Sequence, residues 1–339
     1  MGPSSWVVLV IGDGVCQFGT SDGAVMNVVT DAGFDRHSRD VRRHLSRLYR
    51  LGHIPSVRDA SVCVCWDVDW PRDFERSIAS ALVSFGAKQV AFVPAPILTM
   101  YASQTDTAII IDLSYRRTTV TPVVLGCVMS GCRVVDPASL LRTFRHVCPN
   151  APPSDNALVE FFVQFGCVAD EDGLDRIVPL TSGEGTVSCS VTFREMQSAI
   201  EDYIDEVVPI ILDVLSVCPL DQRKQLAGSL LVIGGVAMIP GLRELLMERI
   251  RNLLPGHAST RRLTGLAPFL SSHSVGFPAN TLQWAGGCIM CQLGVPAECI
   301  LSSSECLDSR LDIMSHQKAA LCNSRSRRSD MTRHTTPLK

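Results

Sequence analysis

The segment Leu230–Gly241 has the residue types and the spacing of a nucleotide contact. Its first residues, Leu230–Ile233, are apolar and predict a buried strand. Gly234 and Gly235 predict a tight turn whose backbone could approach a ligand closely, and a helical pattern begins after Gly241. A strand, a glycine turn and a helix N-terminus form the usual nucleotide-binding junction of α/β proteins. The same glycines also fit a structural role, in which strand and helix pack closely at the turn.

Cysteine is the second residue type that could carry chemistry, since the chain has 14 of them. Cys288 and Cys291 have the spacing of metal-binding and redox sites. However, no second pair stands at zinc-finger distance, and Ile289, Met290 and Leu293 give the segment the pattern of a core helix. Most other cysteines lie in apolar runs, which is typical of free buried thiols in a cytosolic chain. We therefore predict no metal site here.

The composition bounds the size and class of the protein. Its 339 residues are enough for two domains or one bilobed unit, and 46% of them are hydrophobic, so a sizeable core is expected. The 31 basic and 34 acidic side chains nearly balance, which argues against a nucleic-acid surface spread over the whole protein. No apolar run reaches the roughly 18–20 residues that span a bilayer. Because no signal peptide is evident either, we predict a cytosolic protein.

Apolar periodicity predicts the elements that position these residues. Strands are predicted at 7–11, 15–18, 60–66, 89–93, 108–113 and 118–125. Helices are predicted at 73–85, 96–102 and 241–254, from Trp284 onward, and behind a capping box at Thr192–Glu195. A strand, a turn and a return strand occur twice, first from Val7 and again from Ala108, which predicts two halves of similar strand content.

Two segments differ from the rest in composition. Residues 34–52 are rich in arginine and histidine, and the spacing of Val41, Leu45 and Leu48 predicts a helix with one solvated basic face. Residues 301–339 are polar and include an Arg/Ser-rich stretch without apolar period, which predicts a disordered tail. A nuclear signal or phosphorylation patch is the alternative for that stretch.

Four segments resemble the actin family. They are Val93–Ser103, Ala108–Arg117, Val120–Gly126 and Trp284–Gly287. The resemblance covers residues 5–293 and is thin over 24–58 and 130–190. It implies an actin-like α/β fold of the superfamily that also contains sugar kinases and heat-shock ATPases. Such a fold has two lobes around a central cleft, and each lobe holds a mixed sheet flanked by helices.

The resemblance also implies where the lobes begin and end. Lobe I would comprise residues 1–103 with 276–300, as subdomain 1 with a reduced subdomain 2 at 31–55. Lobe II would comprise residues 104–275, as subdomain 3 with subdomain 4 at 136–204. The actin subdomain that contacts the next filament subunit is short and basic here. We therefore hypothesise that one longitudinal contact is lost, which would stop filament growth.

The most specific resemblance lies in Leu212–Ala227. Its Cys-Pro-x-Asp-x-Arg-Lys-Gln-Leu string is similar to the actin-related protein 10 subfamily, the actin-related subunits at the pointed end of dynactin. Asp112 with Tyr115-Arg116 also follows that subfamily rather than actin itself. The resemblance implies a non-catalytic cap and adaptor for dynein-based transport on microtubules. Its partners would be dynactin pointed-end subunits and the adjacent filament actin or actin-related subunit, with no nucleic acid and no membrane, in the cytoplasm at the cytoskeleton.

The family's nucleotide site is only partly present when it is carried over residue by residue. Positions of that site that match are Gly12 and Asp112 on the two hairpins and Gly234, Gly235 and Met238 on the adenosine side. The resemblance therefore implies a vestigial or weak site.

Other positions of that site hold unsuited residues. The metal-side aspartate falls on Val10, the phosphate-binding lysine on Gln17, and the glutamine that orients water on Ala95. The second phosphate loop is Ser114–Arg116, with side chains where backbone should approach phosphate; its arginine is either a phosphate ligand or a plain surface residue. Because hydrolysis needs metal, phosphate clamp and oriented water together, we predict a pseudo-ATPase without a required cofactor. Binding of ATP or ADP with magnesium, without turnover, stays open.

Two other functions stay open from the sequence. One is a nuclear actin-related protein of a chromatin-remodelling complex, which the basic residues at 34–52 and in the tail favour, while the string at Cys218–Leu226 opposes it. The other is a small-molecule kinase of the same superfamily, which would need an intact metal acid and a catalytic base.

Overall fold

The computed structural model describes residues 6–12, 15–22, 26–30, 40–51, 60–67, 70–148, 155–166, 168, 178–179, 190–255, 263–273 and 275–308. The chain divides into two compact units. Unit 1 is drawn from Met1–Gln104 and Gln283–Lys339, and unit 2 is Thr105–Leu282. The chain therefore changes unit after 104 and after 282, compared with 103 and 275 in the prediction.

Both units combine strands and helices. The strands are β1 (Trp6–Ile11), β2 (Val15–Thr20), β3 (Met26–Thr30), β4 (Ser61–Trp66), β5 (Gln89–Pro94), β6 (Ala108–Leu113), β7 (Thr118–Val124), β8 (Cys127–Val128), β9 (Val134–Asp136), β10 (Val178–Pro179), β11 (Ser190–Val191), β12 (Leu230–Ile233) and β13 (Ile300–Ser302). The helices are α1 (Val41–Leu51), α2 (Arg72–Ser84), α3 (Ala95–Ser103), α4 (Leu140–Val147), α5 (Asp155–Phe165), α6 (Phe193–Val217), α7 (Leu220–Ala227), α8 (Leu242–Leu253), α9 (Leu282–Leu293) and α10 (Ser303–Leu307).

The sheet of unit 1 is mixed and has the strand order β13-β5-β4-β1-β2-β3. Strands β1, β2 and β3 form an antiparallel meander, whereas β4 runs parallel to β1, and β5 runs parallel to β4. All six residues of β1 and of β4 are buried. Continuous burial is typical of strands covered on both faces, which explains why they read as apolar runs in the sequence.

The sheet of unit 2 repeats this order. Strands β12, β6, β7 and β8 are neighbours, and β9 also pairs with β7. The β6–β7 pair is antiparallel and the β12–β6 pair is parallel. A parallel bridge between Leu230 and Ser272 then takes the place that β5 holds in unit 1. The two halves of similar strand content predicted from the sequence are thus confirmed as two mixed sheets flanked by helices.

Helix α1 lies within residues 31–55, the segment predicted to be a reduced subdomain 2. Val41, Leu45 and Leu48 are at most 2% exposed and belong to the core of unit 1 together with residues of β1 and β4. The segment 41–51 is therefore part of that core, and the predicted basic helix forms with its apolar stripe inward. Residues 31–39 and 52–59 lie outside the described residues.

The segment 136–204, predicted as subdomain 4, is also built on the core of its unit. Helices α4 and α6 contribute Leu140, Phe144 and Tyr203 to the same hydrophobic cluster as Ile111 of β6. The predicted capping box at Thr192 is confirmed, because its hydroxyl accepts a hydrogen bond from the Glu195 N–H at 3.2 Å.

The prediction of a disordered tail from residue 301 is wrong for residues 301–307, which form part of a strand and a short helix. Strand β13 pairs with β5, and α10 follows with a second capping box, at Ser302 and Glu305. Leu301 is fully buried and Cys306 is 5% exposed, so two apolar side chains anchor this polar segment. Residues 309–339 lie outside the described residues. Across the described parts of the chain, no helix is both long and apolar enough to cross a bilayer.

Candidate functional site

The sheet of unit 2 brings Asp112 and the glycine turn together. The β12–β6 register pairs Ile233 with Asp112, so the chain leaves β12 at Gly234 beside the end of β6. Gly234 has φ +100°, and a Cβ there would lie 2.5 Å from the Leu113 carbonyl oxygen and 2.7 Å from Asp112 Oδ1. Only glycine fits this backbone position. The close backbone approach predicted at this turn is therefore made to strand β6 of its own sheet.

Asp112 lies at the carboxyl end of β6, where α/β sheets bind ligands. Its Oδ1 accepts a hydrogen bond from the Ser114 hydroxyl at 3.3 Å. Tyr203 is fully buried and its hydroxyl shares a 2.8 Å hydrogen bond with Thr118. Burial raises the pKa of Tyr203, and the Asp112 carboxylate adds to that shift. The carboxylate is thus held within its own unit by a local hydrogen bond and near a neutral phenol.

The β6–β7 turn folds Tyr115 back onto the glycine turn. The Ser114 N–H donates to the Arg117 carbonyl at 3.1 Å and closes the turn, while the Leu141 N–H donates to the Tyr115 carbonyl at 3.3 Å. A Cβ at Gly235 would lie 2.8 Å from Tyr115 Cε2. The tyrosine ring therefore covers Gly235, on the surface where a nucleotide contact would require free space.

The core of unit 2 supports this ring position. The centroids of the Tyr115 and Phe162 rings are 6.5 Å apart, within the range of aromatic pairs. Burial raises the pKa of Tyr115 to about 12, so the phenol is neutral at ordinary pH. The ring is thus a packed hydrophobic group that shares the aromatic cluster of α4 and α5.

Arg116 pairs with an acid of its own unit. Its Nε lies 3.0 Å from Asp155 Oδ2, and Arg145 Nη2 lies 2.5 Å from Asp155 Oδ1. Asp155 is the first residue of α5 and is 39 residues away in sequence, so no local pattern predicts the pair. Of the two roles open for Arg116, the structure favours the plain surface arginine, since its guanidinium is already paired with Asp155, a carboxylate that it shares with Arg145.

The side chain of Met238 is exposed to solvent, unlike the covered Gly235. It ends a short 3-10 turn in which its N–H donates to the Gly235 carbonyl at 3.2 Å, and its side chain is 46% exposed. Gly241 then starts α8 with φ +79°, and a Cβ there would lie 3.0 Å from Val168 Cβ. The predicted strand, turn and helix are all present, and the second half of the turn faces solvent.

Gly12 belongs to unit 1, whereas the other four candidate residues belong to unit 2. It begins the β1–β2 turn, and its N–H donates to the Val15 carbonyl at 2.9 Å. Two residues earlier, Val10 faces Gln17 across the hairpin, and these side chains are 6% and 8% exposed. Ala95 begins α3 in the same unit.

The two hairpins correspond position by position. Val10 stands two residues before its turn and pairs with Gln17, as Asp112 stands two residues before its turn and pairs with Thr119. The internal duplication therefore identifies Val10 as the unit 1 counterpart of Asp112, without reference to any other protein. The turn of unit 2 is thus preceded by the carboxylate of Asp112, and the turn of unit 1 by the buried isopropyl group of Val10.

The C-x-x-C pair lies in a helix in which Met290 is fully buried, as predicted, whereas Leu293 at its end is 71% exposed. Cys288 and Cys291 of α9 are free and 6% and 7% exposed. Burial raises the pKa of Cys288 to about 12, and a hydrogen bond with Cys63 is the main cause that raises the pKa of Cys291. Protonated thiols are poor nucleophiles and poor metal ligands. Among the described residues, no group of three or more His, Cys, Asp or Glu side chains is arranged to hold a metal ion.

The string Cys218–Leu226 divides into a buried and an exposed half. Arg223 is 8% exposed, and its guanidinium donates to the Cys218 carbonyl at 2.8 Å and also to the Ser216 carbonyl. Leu226 and Cys218 are buried beside it, and Leu220 and Lys224 are exposed. The arginine therefore closes the α6–α7 turn, which gives half of this string a structural role.

No protein-family model matches the sequence. The function must therefore be argued from the residues of the two hairpins and of the α6–α7 turn.

Proposed function

We propose that this chain is a non-catalytic, actin-like structural subunit, and that it is the actin-related subunit at the pointed end of dynactin. The observation that carries the non-catalytic part is the position of Tyr115, whose ring lies on Gly235 where a nucleotide would need the backbone. The dynactin part rests on the residues of the α6–α7 turn.

The duplicated strand order supports an actin-like fold. In each unit an antiparallel meander is extended by parallel pairing on the side of its first strand, and helices flank the sheet. A hairpin turn and a parallel strand end then lie side by side, which is where the superfamily places its phosphate and adenosine contacts. The resemblance of Val93–Ser103 and Ala108–Arg117 to the actin family points to the same fold.

The side chains at the two hairpins argue against ATP hydrolysis. Phosphoryl transfer needs metal, phosphate clamp and oriented water to act together. Val10 is buried at the unit 1 position that corresponds to Asp112, and Gln17 opposite it cannot supply a positive charge. On the second hairpin, Tyr115 covers the glycine turn. We infer that no cofactor is required, and that any binding of ATP or ADP with magnesium is weak.

Assignment to dynactin is supported by Leu212–Ala227, whose similarity to the pointed-end subfamily is far more specific than a pair of glycines. The buried half of the string is accounted for by folding of the α6–α7 turn. Its exposed Leu220 has no such explanation from packing, whereas the Lys224 ammonium lies 4.1 Å from the centroid of the Phe269 ring of the same unit. An exposed leucine at this turn fits a surface that a partner protein binds.

Because α1 belongs to the core of unit 1, the capping hypothesis concerns fewer residues. Only the residues on either side of 41–51 would take the place of the filament-contacting subdomain of actin. A subunit without that subdomain offers a complementary surface at one end only. We propose that this stops filament growth in the cytoplasm and frees the face for pointed-end adaptor subunits that serve dynein-based transport.

Affinity purification from cells, with the full chain as bait, tests the proposal. We expect dynactin subunits to be recovered, and to the same extent with an Asp112→Ala bait, because assembly does not depend on nucleotide chemistry. Recovery of chromatin-remodelling subunits would instead establish the nuclear function. A monomeric bait that copurifies only with a small phosphorylatable molecule would establish the kinase alternative.

A further inference from the structure

Helix α1 presents a stripe of arginines on the side opposite its buried face. Val41, Leu45 and Leu48 face the core of unit 1. Arg43, Arg47 and Arg50 are exposed, and their spacing of four and then three residues places them on one side of the helix. At about 1.5 Å per residue, the stripe extends for about 10 Å along the axis.

The charge of this helix is arranged against its own stability. It contains four arginines and no acidic residue. Like charges at these spacings destabilise a helix. Arg42 and Arg43 also stand in the first turn, where the helix dipole disfavours positive charge. A helix that only needed to cover the core would be more stable with glutamate at some of these positions.

A shallow groove of about 420 Å³ lies beside the start of α1 and continues onto α2. It is lined by Arg42 and Arg76 and by the hydroxyl-bearing Ser77 and Ser80, with Asp40 as its acidic member. The Asp40 carboxylate accepts the Arg43 N–H at 3.1 Å and so serves as the helix N-cap. Guanidinium and hydroxyl groups in a groove suit carboxylates, which arginine binds in a bidentate manner.

We propose that the α1 basic face, defined as Arg42, Arg43, Arg47, Arg50 and Arg76, binds an acidic segment of a partner protein. The whole chain has net charge -3, so the positive charge of α1 is concentrated locally and complements a short acidic segment. The length of the stripe matches a few residues of an acidic peptide. The inference does not depend on the dynactin proposal, since it concerns a surface of unit 1 alone.

Fluorescence anisotropy with a labelled short polyglutamate peptide tests this. We expect the intact full chain to bind the peptide, and the triple variant Arg43→Gln, Arg47→Gln, Arg50→Gln to bind at least about tenfold more weakly. The matched control removes three exposed arginines of unit 2, as Arg194→Gln, Arg243→Gln and Arg251→Gln. It should bind within about twofold of the parent.

A second variant separates binding from folding. Replacing the same three α1 arginines with lysine keeps the charge and the helix, and should weaken binding less than glutamine does, because only the bidentate geometry is lost. The proposal is wrong if the parent does not bind the peptide, if both glutamine variants weaken binding equally, or if duplex DNA of equal charge binds α1 more tightly than polyglutamate.

Discussion

The two hairpins of this protein share a backbone and differ in chemistry. In each, the residue after the first strand donates its N–H across a four-residue turn, from Gly12 to Val15 at 2.9 Å and from Ser114 to Arg117 at 3.1 Å. The unit 1 hairpin carries Val10 and lacks a carboxylate at the position where the unit 2 hairpin carries Asp112.

This difference shows what each part of the sequence must preserve. Burial of β1 and of most of β6 favours apolar side chains and so keeps the topology in both units. The strand positions just before the two turns differ instead, because Val10 is buried in unit 1 whereas Asp112 is only partly buried in unit 2. In unit 2 the turn also packs onto its own unit through Tyr115 and Arg116.

Exchanging the distinguishing residues should have the largest effect. Val10→Asp places a carboxylate at a position that is 6% exposed, and we expect it to lower the free energy of unfolding by about 4 kcal/mol. Asp112→Val should cost about 1 kcal/mol, since Asp112 is only partly buried and a hydrogen bond from the Ser114 hydroxyl is removed. Urea unfolding of both variants measures this. Equal losses of unfolding free energy in the two variants would mean that the two positions do not differ in the side chain they require.

Two glycines should differ next, Gly234 after β12 in unit 2 and Gly12 in the hairpin of unit 1. Gly234→Ala forces a left-handed residue and a contact of 2.5 Å with the Leu113 carbonyl, so we expect a loss of about 3 kcal/mol. Gly12→Ala meets the Val15 carbonyl at 3.0 Å without a left-handed φ and should cost about 1 kcal/mol or less. Chemical denaturation again provides the values. A neutral Gly234→Ala would show that the turn does not approach β6.

Removing the ring that covers the glycine turn should have an intermediate effect. Tyr115→Ala leaves space beside Phe162 and Gly235, and because the side chain is only partly buried we expect about 2 kcal/mol. Tyr115→Phe keeps the ring and serves as the control, with a change below about 0.5 kcal/mol. Thermal unfolding compares the two, and a neutral Tyr115→Ala would mean that the ring does not pack there.

The last effect appears only at alkaline pH. The pKa of Tyr115 is about 12 in the folded protein, against 10.0 for an ordinary tyrosine. Above pH 10 the unfolded chain loses this proton first, so it binds fewer protons than the folded chain and stability falls until about pH 12. Tyr115→Phe should make the decline of melting temperature shallower in this window. An unchanged slope would indicate an exposed phenol.

The sequence predicts the strands and the turns of the sites well because these depend on local patterns. Because β1 and β6 are buried, their sequences are apolar runs, and the residue type of Gly234 indicates its turn. The partners of the site residues cannot be predicted in this way. Asp155 pairs with Arg116, and Phe162 with the ring of Tyr115, only because α5 packs against the β6–β7 turn.

Helix α1 and strand β13 show the same limit of prediction from local sequence. The periodicity of 41–48 predicts a helix, but only tertiary packing shows that it completes the core of unit 1. Strand β13 lies in a polar segment, and its order depends on pairing with β5 and on burial of Leu301, neither of which a composition reveals.

Single-turnover incubation of the purified full chain with ATP and magnesium tests the central claim most directly. The proposal predicts that ATP hydrolysis stays at the rate of the protein-free blank, for the parent chain and for Asp112→Ala alike. Magnesium-dependent hydrolysis by the parent that Asp112→Ala abolishes would contradict it, since the hairpin that carries Asp112 and Tyr115 would then be a working phosphate site.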